Sequence, residues 1–199
     1  MIATNNPGKL REFETLLEGC GFELTTPRQL GVAFDPIESG STFAENATIK
    51  AVEAMRLTGL SALADDSGLV VDHLGGRPGI FSARYAGGDR TASDVSEREQ
   101  CEIVLRELAG VPDEQRTARF ICVIAIALSG QSVETVEGVF EGRIARESRG
   151  EHGFGYDPIF LVPELGMTSA ELAPEQKNAI SRRAQAALKA CELLRRTVR

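Results

Sequence analysis

The chain has 199 residues, a formal net charge of −7 and 42% hydrophobic residues. This size and composition predict a folded globular protein, either one domain or two lobes that share a core, rather than a disordered chain. The negative charge provides no general basic surface for DNA or RNA, so an anionic ligand would have to be held by local cations.

The cysteines and the N-terminus indicate the compartment. The four cysteines lie far apart, and with two histidines they form no zinc-binding spacing. We therefore expect buried free thiols in a reducing compartment. The N-terminus has no signal-peptide pattern, and no apolar run approaches the roughly 20 residues that span a bilayer. These features predict a cytoplasmic protein with no membrane segment.

The chain opens with Met1-Ile2-Ala3, typical of a short strand, followed by the turn Thr4-Asn5-Asn6-Pro7-Gly8-Lys9 and an amphipathic helix. Such a turn places backbone N–H groups and Lys9 at a helix N-terminus, which favours an anion. It lacks the GxxxxGK[ST] spacing of a Walker A loop. A plain strand-to-helix turn is the alternative.

Phe22–Thr26 is predicted to be the next strand.

A second helix is predicted to begin at the capping box Thr42-Phe43-Ala44-Glu45 and to end at about Thr58. Asn46 and Lys50 lie four residues apart and therefore share a side of it. That side is either a solvated face or one that aims a cation at a phosphate.

The most informative stretch is Ala64-Asp65-Asp66-Ser67-Gly68, which has apolar residues on both sides. This pattern predicts two buried strands with a break that contains the two carboxylates. Buried carboxylates require compensation by a metal or by donors, and Mg²⁺ takes oxygen ligands. The stretch therefore favours a Mg²⁺–carboxylate site, with an ordinary β-turn as the alternative.

Strands and helices alternate over the rest of the chain, which favours the α/β class. We predict a helix over Thr91–Leu108, a doubly buried strand over Ala118–Leu128, a strand over Val133–Ile144, another over Ile159–Val162, and a final helix that has Pro174 in its first turn.

Two segments of the C-terminal half suit a flat ring and an anion. The loop residues Phe154, Gly155, Tyr156 and Asp157 offer aromatic faces and a carboxylate to a flat ring, unless they form a plain surface loop. Cations follow near the first turns of the final helix, where the dipole also favours an anion. These cations are Lys177, Arg182 and Arg183.

Taken in order, these motifs resemble one family. They are Thr4 to Lys9, Thr42 to Ala47 with Lys50-Ala51, Ala64 to Gly68, Leu74-Gly75-Gly76 with Pro78-Gly79, Ser82 to Tyr85, Gly153 to Pro158, and Glu175-Gln176-Lys177 with Ile180-Ser181. The set is similar to the non-canonical purine nucleoside triphosphate pyrophosphatases, also called the inosine triphosphatase or HAM1-like family, over almost the whole chain.

The resemblance implies a fold, an activity and an assembly. The fold is an elongated, two-lobed α/β domain over residues 1–199, with a long curved mixed β-sheet flanked by helices and a substrate cleft between the lobes. The activity is Mg²⁺-dependent hydrolysis of ITP, dITP, XTP and dXTP to the monophosphate and pyrophosphate, which removes deaminated purines from the nucleotide pool. The protein would be a cytoplasmic homodimer with a small-molecule substrate and no nucleic-acid or membrane partner.

The resemblance also implies roles for particular residues. Asp66 would be the catalytic base, coupled to Asp65, and Asp66 and Glu38 would hold Mg²⁺. The triphosphate would be bound by Thr4, Asn5, Asn6, Pro7, Gly8 and Lys9. Lys50 would stabilise the leaving pyrophosphate, and Ser67 would be a further substrate-binding residue. The base would be bound by Phe154, Gly155, Tyr156, Asp157, Lys177, Arg182 and Arg183. The family usually has Ser-His-Arg where this chain has Ser181-Arg182-Arg183, and a guanidinium donates hydrogen bonds but cannot accept them.

Two other functions use the same features. One is a Mg²⁺-dependent pyrophosphatase for modified pyrimidine or other nucleotides, which a substrate panel separates from the purine enzyme. The other is a non-enzymatic module that senses a nucleotide, which turnover with Mg²⁺ against EDTA separates from both enzymes.

Overall fold

A computed structural model describes residues 1–128, 130 and 132–197. Its α-helices are α1 (Pro7–Leu16), α2 (Phe43–Thr58), α3 (Glu97–Glu107), α4 (Pro174–Ile180) and α5 (Arg182–Thr197). Its strands are β1 (Ala62–Val71), β2 (Thr117–Ala127), β3 (Glu134–Ile144), β4 (Phe160–Val162) and β5 (Met167–Thr168). Short 3₁₀ turns occupy Asp72–Leu74, Gly79–Arg84, Asp113–Gln115, Asp157–Ile159 and Ser169–Glu171.

The strands form one sheet in the order β1-β2-β3-β4-β5. β4 pairs antiparallel with β3 and with β5, whereas Ile2 forms an isolated parallel bridge with Leu63 of β1. The prediction of an α/β fold with a β-sheet flanked by helices is confirmed. Among the described residues, no helix is both long and apolar enough to cross a membrane.

The first of two compact units comprises residues 1–66, 122–138 and 182–199. Its core combines the N-terminal segment, α1, β2 and α5. The buried residues are Ile2, Phe13, Leu17, Cys20, Leu63, Cys122, Ile124, Ile126, Leu128, Ala186, Ala187, Ala190 and Cys191. A Cβ on Gly138 would lie 2.0 Å from the carbonyl oxygen of Arg182, so only glycine allows the start of α5 to approach β3 this closely.

The second unit comprises residues 67–121 and 139–181. Its core packs α3 against the strands and includes the aromatic pairs Phe120–Phe160 and Phe140–Phe160. Arg116 is buried and donates hydrogen bonds to the carbonyl oxygens of Leu108, Ile144 and Ala145.

Several predicted elements are corrected by the structure. β1 is continuous through Asp65 and Asp66, so the predicted break is wrong. Phe22–Thr26 forms no regular strand, although Thr25 accepts a hydrogen bond from the amide of Ile2. The C-terminal helix is divided at Ser181, and α3 begins at Glu97 rather than at Thr91. Residues such as aspartate, which are common in turns, can lie inside a strand when groups on both faces of the sheet bond their side chains.

The prediction of four free thiols is also wrong. Cys20 and Cys191 form a disulfide that links the segment after α1 to α5, whereas Cys101 and Cys122 are buried free thiols. Sequence spacing could not reveal this pair, because its members lie 171 residues apart and meet only when α1 packs on α5.

Candidate functional site

The loop before α1 is exposed and organised by its own side chains. Asn6 caps the helix, and its Oδ1 accepts from the amides of Gly8 (2.8 Å) and Lys9 (3.0 Å). Thr4 Oγ1 accepts from the amide of Asn6, and Asn5 Nδ2 donates to the carbonyl oxygen of Phe34. With Pro7 at the first helical position, two of the amides predicted to meet an anion are therefore bonded to Asn6.

Asp65 is the centre of a buried charge cluster in the first unit. Its carboxylate lies 2.9 Å from Lys9 Nζ and 3.4 Å from a guanidinium nitrogen of Arg183. Arg183, which is fully buried, also pairs with Glu12 on α1. The N-terminal parts of α1 and α5 thus supply the cations that compensate this carboxylate.

Asp66 has a different set of partners, all supplied by α2. Its Oδ1 accepts from Lys50 Nζ at 3.0 Å, and its Oδ2 accepts from Asn46 Nδ2 at 3.3 Å. Lys50 Nζ also donates to Glu38 Oε1 at 2.8 Å. One ammonium group therefore brings the carboxylates of Glu38 and Asp66 together.

The two aspartates bond different partners because successive side chains of a strand point to opposite faces. Asp65 faces the cations of α1 and α5, whereas Asp66 faces α2. The two carboxylates point in opposite directions because the strand is continuous through them, whereas a turn would not require this.

The pKa values of the two carboxyls diverge. Burial by itself would raise the pKa of Asp65, but Lys9, Arg183 and Lys50 outweigh it and hold that pKa well below its ordinary value. Burial raises the pKa of Asp66 above its ordinary value, and its repulsion from Glu38 adds to this, despite the attraction of Lys50. Asp65 therefore remains ionised, whereas Asp66 can exchange a proton closer to neutral pH.

The residues around Asp66 fit Mg²⁺ by their chemistry. Asp66 and Glu38 are hard oxygen donors that a single cationic group, Lys50 Nζ, already joins. Mg²⁺ is commonly bound by one or two carboxylates, with waters and substrate phosphates completing the octahedron. Within the described residues, no group of three or more His, Cys, Asp or Glu side chains could hold a metal.

In the second unit, Asp157 organises the aromatic loop. It is fully buried, and its Oδ2 accepts from Lys177 Nζ (2.8 Å) and from the amide of Phe154 (2.9 Å). Lys177 Nζ lies 4.9 Å from the centroid of the Phe154 ring. Gly153 has a φ of +80°, and a Cβ there would lie 2.2 Å from Asp157 Oδ2, so the loop requires glycine.

The neighbouring loop residues are held by α3 and by the Ser82 segment. The amide of Gly155 donates to Glu97 at 2.8 Å, and its carbonyl oxygen accepts from the Cys101 thiol. Tyr156 is buried and donates from its hydroxyl to the carbonyl oxygen of Ser82. Phe154 is only partly buried and is therefore the accessible aromatic face of this loop.

The remaining predicted site residues are distributed over both units. Arg182 is buried at the start of α5 in the first unit, and Ser67 is partly buried in β1, where the second unit begins. Arg183, which the resemblance assigns to the base pocket, is bonded to Asp65 and Glu12.

Sequence reasoning did not assign site roles to four supporting residues. They are Glu12, Asn46, Glu97 and Cys101. The spacing of Asn46 and Lys50 on α2 was the only local signal for any of them. The other three meet their partners through tertiary packing, which a single sequence does not reveal.

The model of the Ham1 family matches residues 1–193. The chain therefore belongs to the Ham1 family. This confirms the prediction of the family, and relatives named dITP/XTP pyrophosphatases confirm the prediction of an enzyme of that class.

Individual relatives are similar over nearly the full length. The dITP/XTP pyrophosphatase of Geobacillus kaustophilus is 53% identical over 190 residues, 95% of this chain and 90% of that protein. The dITP/XTP pyrophosphatase of Bacillus subtilis is 47% identical, over 98% of this chain and 96% of that protein. The solved structure of a HAM1 protein from Coxiella burnetii is 43% identical, with a TM-score of 0.86 over 98% of each chain.

Proposed function

We propose that this protein hydrolyses dITP, XTP, ITP and dXTP to the nucleoside monophosphate and pyrophosphate. The observation that carries the proposal is the pair of adjacent buried carboxylates of β1, in which Asp65 is paired with Lys9 and Arg183 and Asp66 is held by Lys50 and Asn46. Pairs of this kind separate a permanent charge from a group that exchanges a proton. Full-length similarity to proteins named dITP/XTP pyrophosphatases supports the choice of reaction.

Asp66 acts as the general base in this proposal. It accepts a proton from a water molecule whose oxygen attacks the α-phosphorus, and the bond from that phosphorus to the bridging oxygen of pyrophosphate breaks. Burial raises the pKa of the Asp66 carboxyl, which makes its carboxylate a stronger base toward this water.

The proposed metal is Mg²⁺, held by Asp66 and Glu38. When bound, it supplies positive charge that neutralises the phosphate oxygens. The chain's own contribution is the ammonium group of Lys50, which pairs with both carboxylates and would lie close to the phosphates.

The leaving pyrophosphate requires further positive charge and exposed polar groups. Lys9, beside Asp65, is the candidate cation, and Asp65 holds its ammonium group in place. The loop Thr4–Lys9 is exposed at this point and can bind phosphate oxygens through its side chains and its remaining amides.

Base recognition is assigned to the loop of the second unit. Phe154 provides a face for stacking, and Lys177, held by Asp157, provides donors and no acceptor. Donors favour the 6-oxo group of hypoxanthine and xanthine over the 6-amino group of adenine. A buried donor facing an amino group costs about 1–3 kcal/mol, which is about ten- to a hundredfold in affinity. Arg182 is proposed as a further donor.

The test is kcat/KM for dITP, XTP, ITP, ATP, GTP and a modified pyrimidine triphosphate, with Mg²⁺ and with EDTA. We expect Asp66→Asn to abolish hydrolysis without unfolding the protein. Asp72→Asn is the matched control, because Asp72 is an exposed carboxylate that bonds Thr117 and Arg119. Near-normal turnover of folded Asp66→Asn would refute the assignment, and a preference for ATP or the pyrimidine would refute the substrate class.

The family resemblance supports a cytoplasmic homodimer as the working form. Light scattering coupled to size-exclusion chromatography measures the assembly directly, and a monomer at micromolar concentration would contradict it.

A further inference from the structure

Asn46 is a fully buried polar side chain beside the proposed metal ligands. It lies on α2 with no exposed surface, and both ends of its amide form hydrogen bonds. Its Oδ1 accepts from the amide of Gly40 at 2.9 Å, and its Nδ2 donates to Asp66 Oδ2 at 3.3 Å. The side chain therefore joins the segment that follows Glu38 to Asp66.

The orientation of this amide is fixed by its partners. A backbone N–H only donates, so the atom that faces Gly40 must be the oxygen of Asn46. The nitrogen then faces Asp66 and presents a donor to that carboxylate. A flipped amide would place two donors against each other at one end and two acceptors at the other.

Gly40 is packed tightly enough to hold this arrangement. A Cβ there would lie 2.7 Å from Asn46 Oδ1 and 2.9 Å from the backbone nitrogen of Asn46. No side chain fits between the segment and the helix, so the distance from Gly40 to the amide is set by direct contact.

The two donors to Asp66 come from one face of α2. Asn46 and Lys50 are four residues apart and donate to Oδ2 and Oδ1, respectively, which fixes the plane of the carboxylate. Lys50 also bonds Glu38, while Asn46 bonds the backbone two residues further on, at Gly40. The Asn46 amide thus contacts one proposed metal ligand directly and is joined to the other through the backbone of the segment that carries it.

We propose that Asn46 is a positioning residue for the hydrolysis, acting through Asp66 and through the segment that carries Glu38. This inference rests on the proposed function. Residues that orient metal ligands typically contribute about ten- to a hundredfold to metal affinity or activity. Because Asn46 has no exposed surface with which to contact a nucleotide, its loss is expected to change the chemical step rather than nucleotide binding.

The experiment compares Asn46→Ala with wild type by two readouts. The first is the affinity of the nucleotide-free protein for Mn²⁺, measured by electron paramagnetic resonance, which we expect to weaken about ten- to a hundredfold. The second is steady-state hydrolysis of dITP, in which kcat is expected to fall by a similar factor while KM changes less than about threefold.

Ser41→Ala is the matched control. Ser41 belongs to the same segment, and its amide and its hydroxyl both donate to the Glu45 carboxylate on α2 rather than to Asp66. We expect this variant to retain wild-type Mn²⁺ affinity and kcat. Equal losses in both variants would overturn the proposal, because they would indicate general loosening of the segment.

The remaining outcomes are distinct. Wild-type Mn²⁺ affinity and kcat in folded Asn46→Ala overturn the inference, whereas wild-type protein that turns over no nucleotide refutes the proposed function instead. If Asn46→Ala shows no cooperative thermal transition, Gly40→Ala decides by the same criteria, because its Cβ displaces the segment from the same amide and keeps every polar group.

Discussion

Replacing Lys177 by methionine tests whether the Lys177–Asp157 pair holds the second unit together as well as binding substrate. The two charged groups lie 2.8 Å apart, and their side chains are 5% and 0% exposed. Removing one partner of a buried pair leaves an uncompensated charge and typically costs about 3–5 kcal/mol. For a chain of this length, that corresponds to a fall of roughly 6–20 °C in Tm.

Urea denaturation of four proteins measures this coupling. They are wild type, Lys177→Met, Asp157→Asn and the double variant. We expect the double variant to regain most of the stability lost in Lys177→Met, because the buried charge has been removed. Loss of dITP binding would persist in the double variant if Lys177 contacts the base. A Lys177→Met protein as stable as wild type would refute the reasoning.

Three further predictions concern stability. Cys20→Ser with Cys191→Ser should lower the free energy of unfolding by up to about 5 kcal/mol, since the bond closes a long loop; a Tm insensitive to reductant in wild type would contradict this. The pKa of the Asp65 carboxyl is lowered in the folded state, so this group stabilises the fold fully above its ordinary pKa. The stabilisation is lost as pH falls through the lowered pKa. In urea titrations the free energy of unfolding of Asp65→Asn should therefore decrease less steeply with falling pH than that of wild type. Gly153→Ala should destabilise the protein by more than about 1 kcal/mol, because it combines a positive φ with a clash against Asp157; an unchanged melting curve would exclude the clash.

The sequence predicted those parts of the fold that local patterns encode. The Thr42 cap, the helix that ends at Thr58 and the buried strand β2 all lie close to their predicted bounds. Each depends on a capping residue or on an apolar run, which act within a few residues of one another.

Local patterns gave wrong predictions where residues far apart in the sequence determine the structure. Asp65 and Asp66 have turn-forming character, but they lie inside β1, because Lys9 and Arg183 on one face and Lys50 on the other compensate them. The Cys20–Cys191 bond was missed because the two cysteines approach one another only through the packing of α1 on α5.

The alternation along β1 makes this strand unusually intolerant of a change in length. A single inserted or deleted residue ahead of Asp65 would rotate every later side chain to the other face of the sheet. Asp65 would then face Lys50 on α2, and Asp66 would face the cations of α1 and α5. A point substitution alters the surroundings of one aspartate. A one-residue change of register would exchange the surroundings of both aspartates while leaving the composition of the strand almost unchanged.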